Sequence, residues 1–241
     1  MSDGDFRINK YLAMAGVCSR READRLIAEG LVFVDGQKAF AGMKVTGNED
    51  IRVSGESLSG MQERYVIALY KPAGVVCTHN DAHAKKTVFD IIKTPVRVTY
   101  AGRLDKDSEG LLLLTNDGVL IQNLMKGQNG HEKEYLVTVD KDITDAFLDK
   151  MAKGVYLKEL DRTTRPCRVF REEARSFRII LTQGLNRQIR RMCMTLGYKV
   201  ETLKRIRIEN IHLDGLESGQ YRELEDGEIK ELMTRAGLML H

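Results

Sequence analysis

Residues 111 to 114 are four consecutive leucines, and this run constrains the fold more than any other stretch of the chain. Thr115-Asn116-Asp117-Gly118 follows at once and is typical of a turn. A short, continuously apolar segment closed by a turn fits a strand that is buried on both faces. The sequence therefore predicts a sheet that is covered on both sides around this run.

The ten residues before the leucines are polar and charged: Ala101-Gly102-Arg103-Leu104-Asp105-Lys106-Asp107-Ser108-Glu109-Gly110. Because a buried strand anchors this loop, the loop can hold a carboxylate and a guanidinium in fixed places at a sheet edge. Functional residues are often found on such loops. The residues alone also allow a surface loop whose Asp and Glu side chains only cap turns.

Length and composition indicate a globular protein. With 241 residues the chain is long enough for one sizeable domain and a smaller one, and 42% hydrophobic residues support a core. No run approaches the ~18 apolar residues that span a bilayer. Four scattered cysteines without a CxxC pair argue against a zinc site or a disulfide framework. We therefore expect a soluble, cytoplasmic protein without a metal, a signal peptide or a membrane partner.

Residues 5–53 have the pattern of a small helical unit with a hairpin. Apolar residues recur at helical spacing from Arg7 to Ala15, and Ser19 with Glu22 three positions later predicts a capping box at the start of a second helix. Asp35-Gly36 between two β-rich runs predicts a hairpin turn. The stretch 54–64, rich in Gly and Ser, is predicted to be a linker.

Residues 65–241 form the second predicted domain. Strands and helices follow one another there without regular βαβ alternation, which favours a mixed α+β fold with a mainly antiparallel sheet. Strands are predicted at 65–70, 97–101, 134–139, 166–171 and 176–182, and helices at 118–125, after an N-cap at Thr144, after an N-cap at Asn186, and at 226–232.

The net charge of the chain is only +3, but its C-terminal part contains a strongly basic stretch. Between residues 187 and 207 the chain contains seven cations and one acid, Glu201, so the local net charge is +6. The cations are Arg187, Arg190, Arg191, Lys199, Lys204, Arg205 and Arg207. Such a patch suits contacts with nucleic-acid phosphates. A solvated surface face would account for the same residues, and charge alone leaves both interpretations open.

Several motifs resemble those of one enzyme family. Gly102-Arg103-Leu104-Asp105 with Ser108-Glu109-Gly110-Leu111-Leu112 closely resembles the signature loop of the RNA pseudouridine synthases, in their ribosomal small-subunit and large-subunit branch. Lys71-Pro72-Ala73-Gly74, Lys133-Glu134-Tyr135 and Gln188-Ile189-Arg190 resemble further motifs of that family, and residues 5–53 resemble the S4 RNA-binding domain. The resemblance spans nearly the whole chain and is strongest to the F-type large-subunit synthases.

This resemblance implies that the chain isomerises uridine to pseudouridine in RNA. It implies Asp105 as the catalytic carboxylate, Arg190 as the buried cation that keeps this carboxylate ionised, and Tyr135 as a ring stacked on the base. Arg103 would occupy the space left by the extruded base. Tyr135 as a core residue and Arg190 as part of the basic patch are the alternatives that the residues alone allow. The isomerisation requires no metal or cofactor, and we expect none.

The same resemblance implies an RNA partner, expected to be 23S ribosomal RNA, with 16S ribosomal RNA or a tRNA as the alternative. The residues expected to contact RNA lie on the first two helices and on the basic helix: Arg7, Lys10, Arg20, Arg21, Arg25, Arg187 and Arg191. We expect a monomer. Two other classes remain: a catalytically silent RNA-binding protein, and a hydrolase that pairs Asp105 with Asp107 or Glu109 and releases free uracil.

Overall fold

The computed structural model describes residues 6–58, 60, 62–78, 85–127 and 130–238. Within this part of the chain, no helix combines the length and the apolar character of a membrane span. The chain folds into a small N-terminal unit and a larger unit built around a nine-stranded sheet. The predicted α+β fold with a mainly antiparallel sheet is confirmed.

The small unit packs two helices on short strands around its own core. Ile8, Leu12, Ala23 and Ile27 form the helical side of that core. Its elements in chain order are β1 (Phe6–Arg7), α1 (Ile8–Met14), α2 (Arg20–Ala28), β2 (Val32–Val34), β3 (Gln37–Lys38), β4 (Lys44–Val45), β5 (Ile51–Val53) and β6 (Glu56–Ser57). β1 pairs with β4, and the other four strands form a sheet in the order β3-β2-β5-β6.

Two local signals in this unit act largely as the sequence predicts. The Ser19 side chain accepts a hydrogen bond from the Glu22 backbone N–H at 3.1 Å, which caps α2. The predicted return bond of the capping box is replaced, because the Glu22 carboxylate binds Arg25 instead. Asp35 and Gly36 both have positive φ, at 49° and 78°, and close the β2–β3 hairpin.

The linker predicted at 54–64 begins too early. Ser54 and Gly55 turn the chain with φ values of 52° and 91°, and Glu56–Ser57 then pairs with β5. These residues therefore extend the sheet of the small unit, because their backbone groups are used in strand pairing. Two positions of the predicted linker, 59 and 61, lie outside the described residues.

Besides two short 3-10 helices, Val88–Asp90 and Lys158–Leu160, the described residues of the large unit contain eleven strands and four α-helices. They are β7 (Val66–Lys71), β8 (Thr99–Tyr100), β9 (Glu109–Thr115), α3 (Gly118–Met125), β10 (Lys133–Val139), α4 (Asp145–Lys153), β11 (Tyr156–Leu157), β12 (Arg162–Thr163), β13 (Arg168–Glu173), β14 (Ser176–Leu181), α5 (Gln188–Thr195), β15 (Val200–Ile208), β16 (Ile211–His212), β17 (Tyr221–Glu223) and α6 (Asp226–Arg235). The main path of the sheet is β13-β14-β10-β15-β9-β7-β17; β16 pairs with β15, and β8 with β9.

The sheet consists of two antiparallel blocks joined by one parallel pair. β13, β14, β10, β15 and β16 form one block, and β8, β9, β7 and β17 form the other. β15 and β9 join the blocks through two residue pairs, Lys204 with Glu109 and Arg205 with Gly110. We call this junction the seam. The polar loop after β8 ends at the seam.

The leucine run lies in β9 and is buried on both faces, as predicted. Leu111 and Leu113 point into a core that α3 and α6 cover. Leu112 and Leu114 point into the opposite core, which contains Val88. Because both faces of β9 are covered, the position of its first residue, Glu109, is fixed. The end of the polar loop that precedes Glu109 is therefore fixed as well.

Candidate active site

A cleft of about 300 Å³ opens above the seam. The polar loop after β8 forms one wall, and β10, β15 and the segment before α5 form the others. Its polar lining includes the side chains of Arg103, Asp105, Lys133, Tyr135, Arg187 and Arg205. Residues from both sheet blocks therefore meet in one cavity.

Asp105 lies in the wall of this cleft with its side chain 35% exposed. The nearest cation is Arg187, whose Nη1 lies 3.6 Å from Oδ2 of Asp105. The same nitrogen lies 4.0 Å from the Asp107 carboxylate. Asp105 is therefore partly open to water and lies close to the positive charge of Arg187.

Arg190 is not the ion-pair partner predicted for Asp105. Its Nη2 donates to the main-chain oxygen of Asp107 at 3.0 Å and reaches Ser108 Oγ at 3.5 Å, while Nη1 donates to the carbonyl of Val200. Burial lowers the pKa of this guanidinium, and the Asp107 and Asp105 carboxylates oppose that effect. Arg190 therefore fastens the Asp105 loop to β15 through hydrogen bonds.

Lys71 holds the same loop from the other side. Its side chain is fully buried at the end of β7, and Nζ donates to the carbonyls of Ser108 at 2.7 Å and Pro72 at 2.8 Å. The Gly74 N–H donates to the Lys106 carbonyl. The Lys-Pro-x-Gly motif was noted from the sequence without a role, and the structure places it under the Asp105 loop.

Tyr135 and Arg205 stand opposite each other across the β10–β15 pair. Side chains of directly paired residues share a face of the sheet, so both reach the cleft. Tyr135 is a predicted site residue, whereas Arg205 is known from the sequence only as part of the basic stretch. Arg205 is only 2% exposed, and its Nε donates to the carbonyl of Leu111 at 2.7 Å across the seam.

Lys133 is a second cleft residue without a role in the sequence analysis. It lies two residues before Tyr135 and lines the same cavity. Burial lowers its pKa to about 8, and the positive charge of Arg205 acts in the same direction, while Glu209 opposes them. Burial could not be predicted here, because a lysine at a strand start is usually exposed.

Gly110 makes the seam possible. Its φ is +106°, and a Cβ at this position would lie 2.3 Å from the Arg205 carbonyl oxygen and 2.6 Å from its nitrogen. These neighbours are backbone atoms of the paired strand and cannot move aside. The glycine in the signature loop therefore sets the close approach of β9 and β15 beneath the cleft.

The basic stretch 187–207 does not form one surface. Arg205 is buried, Arg191 pairs with Glu159 and donates to Asn186, and Arg207 pairs with Glu132 and Glu134. The stretch therefore presents no continuous basic surface in the described structure, and contact between Arg191 and RNA stays a prediction. Its charges are largely used inside the fold, because acids from distant segments face them.

The start of α5 also differs from the prediction. Arg187 occupies the N-cap position with φ 50° and ψ 35°, and the Asn186 side chain accepts a hydrogen bond from Arg191. This left-handed residue places the Arg187 side chain beside Asp105. Sequence favoured Asn186 because asparagine is a good N-cap, whereas tertiary contacts decide the position here.

The arginines of the small unit are more accessible. Arg7, Arg20 and Arg21 are exposed, and among the described residues no carboxylate lies within ion-pair distance of Arg20 or Arg21. Lys10 lies over the Phe6 ring at 5.2 Å. Arg25 differs, because Glu22 and Glu29 both bind its guanidinium. We did not predict this neutralisation.

A second groove of about 600 Å³ adjoins the cleft and shares Lys133 with it. Its lining carries three further cations, Lys126, Arg162 and Arg165. Arg162 belongs to β12, and Arg165 donates to the carbonyl of Gly127. These residues are scattered in sequence, so no local pattern predicted the groove. Arg103 is exposed at the mouth of the cleft.

Comparison with known proteins gives the class of this chain. Residues 65–195 match the RNA pseudouridylate synthase family, and residues 6–51 match the S4 domain. The chain therefore belongs to the RNA pseudouridylate synthase family. It is an enzyme that isomerises uridine, rather than a silent RNA-binding protein or a hydrolase.

Individual relatives show which members of this family the chain is similar to. Over 234 residues, the chain is 44% identical to the dual-specificity RNA pseudouridine synthase RluF of Escherichia coli K12, covering 96% of this chain and 80% of that protein. It is 36% identical to the ribosomal large subunit pseudouridine synthase B of Bacillus subtilis, covering 95% and 96%. A crystal structure of a pseudouridylate synthase superposes with a TM-score of 0.70 at 28% identity, covering 94% and 99%. The predicted resemblance to the F-type enzymes is thus confirmed.

Proposed function

We propose that Asp105 is the catalytic carboxylate and that the cleft above the seam receives an extruded uridine. One observation carries this proposal: the signature loop, Tyr135 and two cations from the other sheet block, buried Arg205 and partly buried Lys133, converge on a single cavity. A cavity of about 300 Å³ is at the lower end of the range for small-molecule pockets. A carboxylate is suited to act on the electron-poor C1′ of a ribose, as in glycoside chemistry.

The other residues of the site take supporting roles in this proposal. Tyr135 stacks on the uracil ring from the floor of the cleft. Arg103, exposed at the mouth, fills the space that the base leaves in the RNA. Arg190 and Lys71 act as positioning residues, because both hold the loop that carries Asp105 through its main chain. Arg187 supplies the cation beside the carboxylate.

We further propose that the substrate lies in 23S ribosomal RNA and that the enzyme also accepts a second RNA, a tRNA or 16S ribosomal RNA. The printed descriptions of the relatives support this, one as a dual-specificity RNA enzyme and one as a large-subunit enzyme. RNA enters along the adjoining basic groove, while Arg7, Lys10, Arg20 and Arg21 of the small unit contact phosphates elsewhere on the molecule. The enzyme acts as a monomer in the cytoplasm, where its four free cysteines remain reduced.

A pair of variants tests the catalytic assignment. Asp105→Asn removes the carboxylate and is expected to lower pseudouridine formation by on the order of 10⁴-fold or more, with RNA affinity retained. Asp107→Asn is the matched control, because Asp107 lies two residues away with a side chain 67% exposed and uses its main chain to bind Arg190. Release of tritium from RNA labelled at C5 of uridine measures turnover. Activity of folded Asp105→Asn near the wild-type level would refute the assignment.

Mapping in cells tests the substrate. Pseudouridines in 23S RNA, 16S RNA and tRNA are compared with and without the gene, and with the Asp105→Asn gene restored. Loss of a large-subunit pseudouridine, together with loss in a second RNA, is the expected result. Loss confined to tRNA or to 16S RNA would overturn the proposed 23S substrate and leave the chemistry intact.

A further inference from the structure

Arg205 is a buried cation whose hydrogen-bonding capacity is not used up within the protein. It is 98% removed from solvent, and its Nε donates to the carbonyl of Leu111. Its Nη2 is buried and has no hydrogen-bond partner in the described part of the chain. Such an unpaired buried donor is costly for folding, so its presence beside a cavity indicates a ligand group that completes it.

Lys133 lines the same cleft as Arg205 and is only partly buried. The Nζ of Lys133 makes one long contact of 3.4 Å, to the carbonyl of its near neighbour His131. Glu209 is the acid whose negative charge acts on Lys133. Its Oε1, however, already accepts from the Glu132 N–H and lies 3.0 Å from His131 Nδ1. The floor of the cleft therefore holds one buried and one partly buried cation, and among the described residues no carboxylate lies within ion-pair distance of either.

Arg205 and Lys133 lie deeper in the cleft than its other two cations. Arg103 and Arg187 are exposed at its mouth, where the phosphates and sugar of an extruded nucleotide remain. Arg205 and Lys133 lie at its floor, on the same sheet face as Tyr135. A base extruded into the cleft reaches the floor first. The groups that meet these two cations are therefore the carbonyl oxygens of the base.

We propose that Arg205 and Lys133 bind the carbonyl oxygens of the extruded uracil and stabilise the negative charge that the base carries while it is detached from the ribose. This inference rests on the proposed function, because it requires the uridine to enter the cleft next to Asp105. It adds two residues that touch the substrate at its base.

The charge follows from the bonds of the isomerisation. The N1–C1′ bond breaks with its electron pair leaving on the uracil ring, where the charge spreads over N1, O2 and O4. The ring then turns, C5 forms the new bond to C1′, C5 loses its proton, and N1 takes up a proton. No electron is gained or lost overall. Between the first and second bond changes the base is an anion, and preorganised donors in a dry site stabilise such a developing charge strongly.

Two substitutions at the floor and one control test this role. Lys133→Met and Arg205→Gln are each expected to lower the single-turnover rate about 10²-fold, the cost typical of losing one oxyanion donor, with RNA affinity within a factor of two. Lys204→Gln is the control, because Lys204 is the strand neighbour of Arg205 and lies over the Tyr70 ring outside the cleft. Thermal unfolding checks that each variant is folded. Lys133→Met keeps the test valid if Arg205→Gln does not fold.

A substrate with 5-fluorouridine at the target position separates a chemical role from a structural one. Fluorine withdraws electron density and stabilises the detached ring anion, so less help from the protein is needed. Fluorine cannot leave C5 as a proton, so the reaction with this substrate stops after C5 bonds to C1′. The rate of the steps up to that bond is followed as disappearance of 5-fluorouridine from digested RNA in a single turnover. We expect the defects of Lys133→Met and Arg205→Gln to shrink from about 10²-fold to less than about tenfold. Equal defects on both substrates would overturn the proposal, because misplacement of the loop slows both alike.

The pH profile gives a second readout. Lys133 faces Arg205 on β15, Glu209 after β15, Asp105 across the cleft, and Arg162 and Arg165 across the adjoining groove. With a pKa of about 8 it loses its charge as the pH rises through that value, so the wild-type rate is expected to fall above about pH 8. Lys133→Arg keeps the charge and should move this fall to higher pH. An unchanged profile would contradict the role of Lys133.

The outcomes distinguish this inference from the function on which it rests. If wild-type enzyme forms pseudouridine and Asp105→Asn does not, the proposed function stands. Wild-type rates in both floor variants, or a loss of RNA affinity that accounts for the whole defect, then overturn the inference alone. If Asp105→Asn is active, the proposed function fails, whatever the floor variants do.

Discussion

Helix α2 carries three closely spaced arginines and α5 carries two with a third at its N-cap, and the fold uses the two sets in opposite ways. On α2, Arg20 and Arg21 point to solvent, with no described carboxylate within ion-pair distance. On α5, Arg190 is bound to the Asp105 loop and Arg191 to Glu159. One helix leaves two of its charges exposed and without a described carboxylate beside them, and the other uses its charge to fix a loop.

The difference lies in what packs beside each helix. α2 belongs to a small unit in which its polar side meets solvent, so only acids on the same helix, Glu22 and Glu29, reach one of its arginines. α5 packs on the core of the block that contains β10 and β14, and main-chain oxygens and acids from distant segments reach its arginines. Helical spacing predicts which residues of a helix lie outside the apolar core. The use of their charge depends on neighbours far away in sequence.

The largest effect that tests this contrast is expected at α5. Arg190→Met removes the bonds to Asp107, Ser108 and Val200 and releases the loop that carries Asp105. Misplacement of a catalytic group by about 1 Å costs on the order of 10²-fold, so kcat should fall by about that factor with little change in RNA affinity. Met194→Gln, 58% exposed on the same helix, is the control. A fall in RNA affinity without a fall in kcat would assign Arg190 to the RNA surface.

The next effect concerns α2. The double variant Arg20→Gln/Arg21→Gln is expected to weaken RNA binding by roughly tenfold and to reduce the slope of log affinity against log salt by about 1.4, or about 0.7 for each lost phosphate contact. Its kcat should remain at the wild-type value. Arg25→Gln is the control from the same helix, because Glu22 and Glu29 already neutralise Arg25. Equal effects of Arg25→Gln and the double variant would remove the distinction.

The smallest effect is expected for the arginine at the start of α5. Arg187 and Asp105 are both partly exposed, and exposed ion pairs contribute about 0.2–1 kcal/mol. Arg187→Gln should therefore lower activity by only about two- to fivefold at low salt, and by less at high salt, as turnover assays at two ionic strengths can measure. A loss as large as that of Arg190→Met would show that Arg187 belongs to the fixed part of the site.

Local signals predicted much of the fold. The leucine run gave a strand buried on both faces, and the apolar pattern placed α3 at Gly118–Met125. Thr144 caps α4 by accepting from the Phe147 N–H, as predicted. These features depend on side chains within a few residues of one another, so the sequence contains what decides them.

The residues of the site were largely predictable, but the contacts between them were not. The motif resemblance pointed to Asp105, Tyr135 and Arg190, and the structure brings them to one region. The motif resemblance could not show that Arg187 lies beside Asp105, since this contact depends on a left-handed residue before α5. The burial of Arg205 and Lys133 arises where two sheet blocks meet, and no local pattern encodes that junction.

The seam has a consequence for how the chain reaches its folded state. Arg205 and Leu111 touch across the seam although they are 94 residues apart in the chain. Apart from β17, which pairs with β7 over a longer separation, each antiparallel block is built from strands that are nearer in sequence, and contacts between near residues cost less loop-closure entropy. We expect the two blocks to acquire hydrogen-exchange protection before the β9–β15 pair does. Catalytic competence would then be the last property that the newly made chain gains.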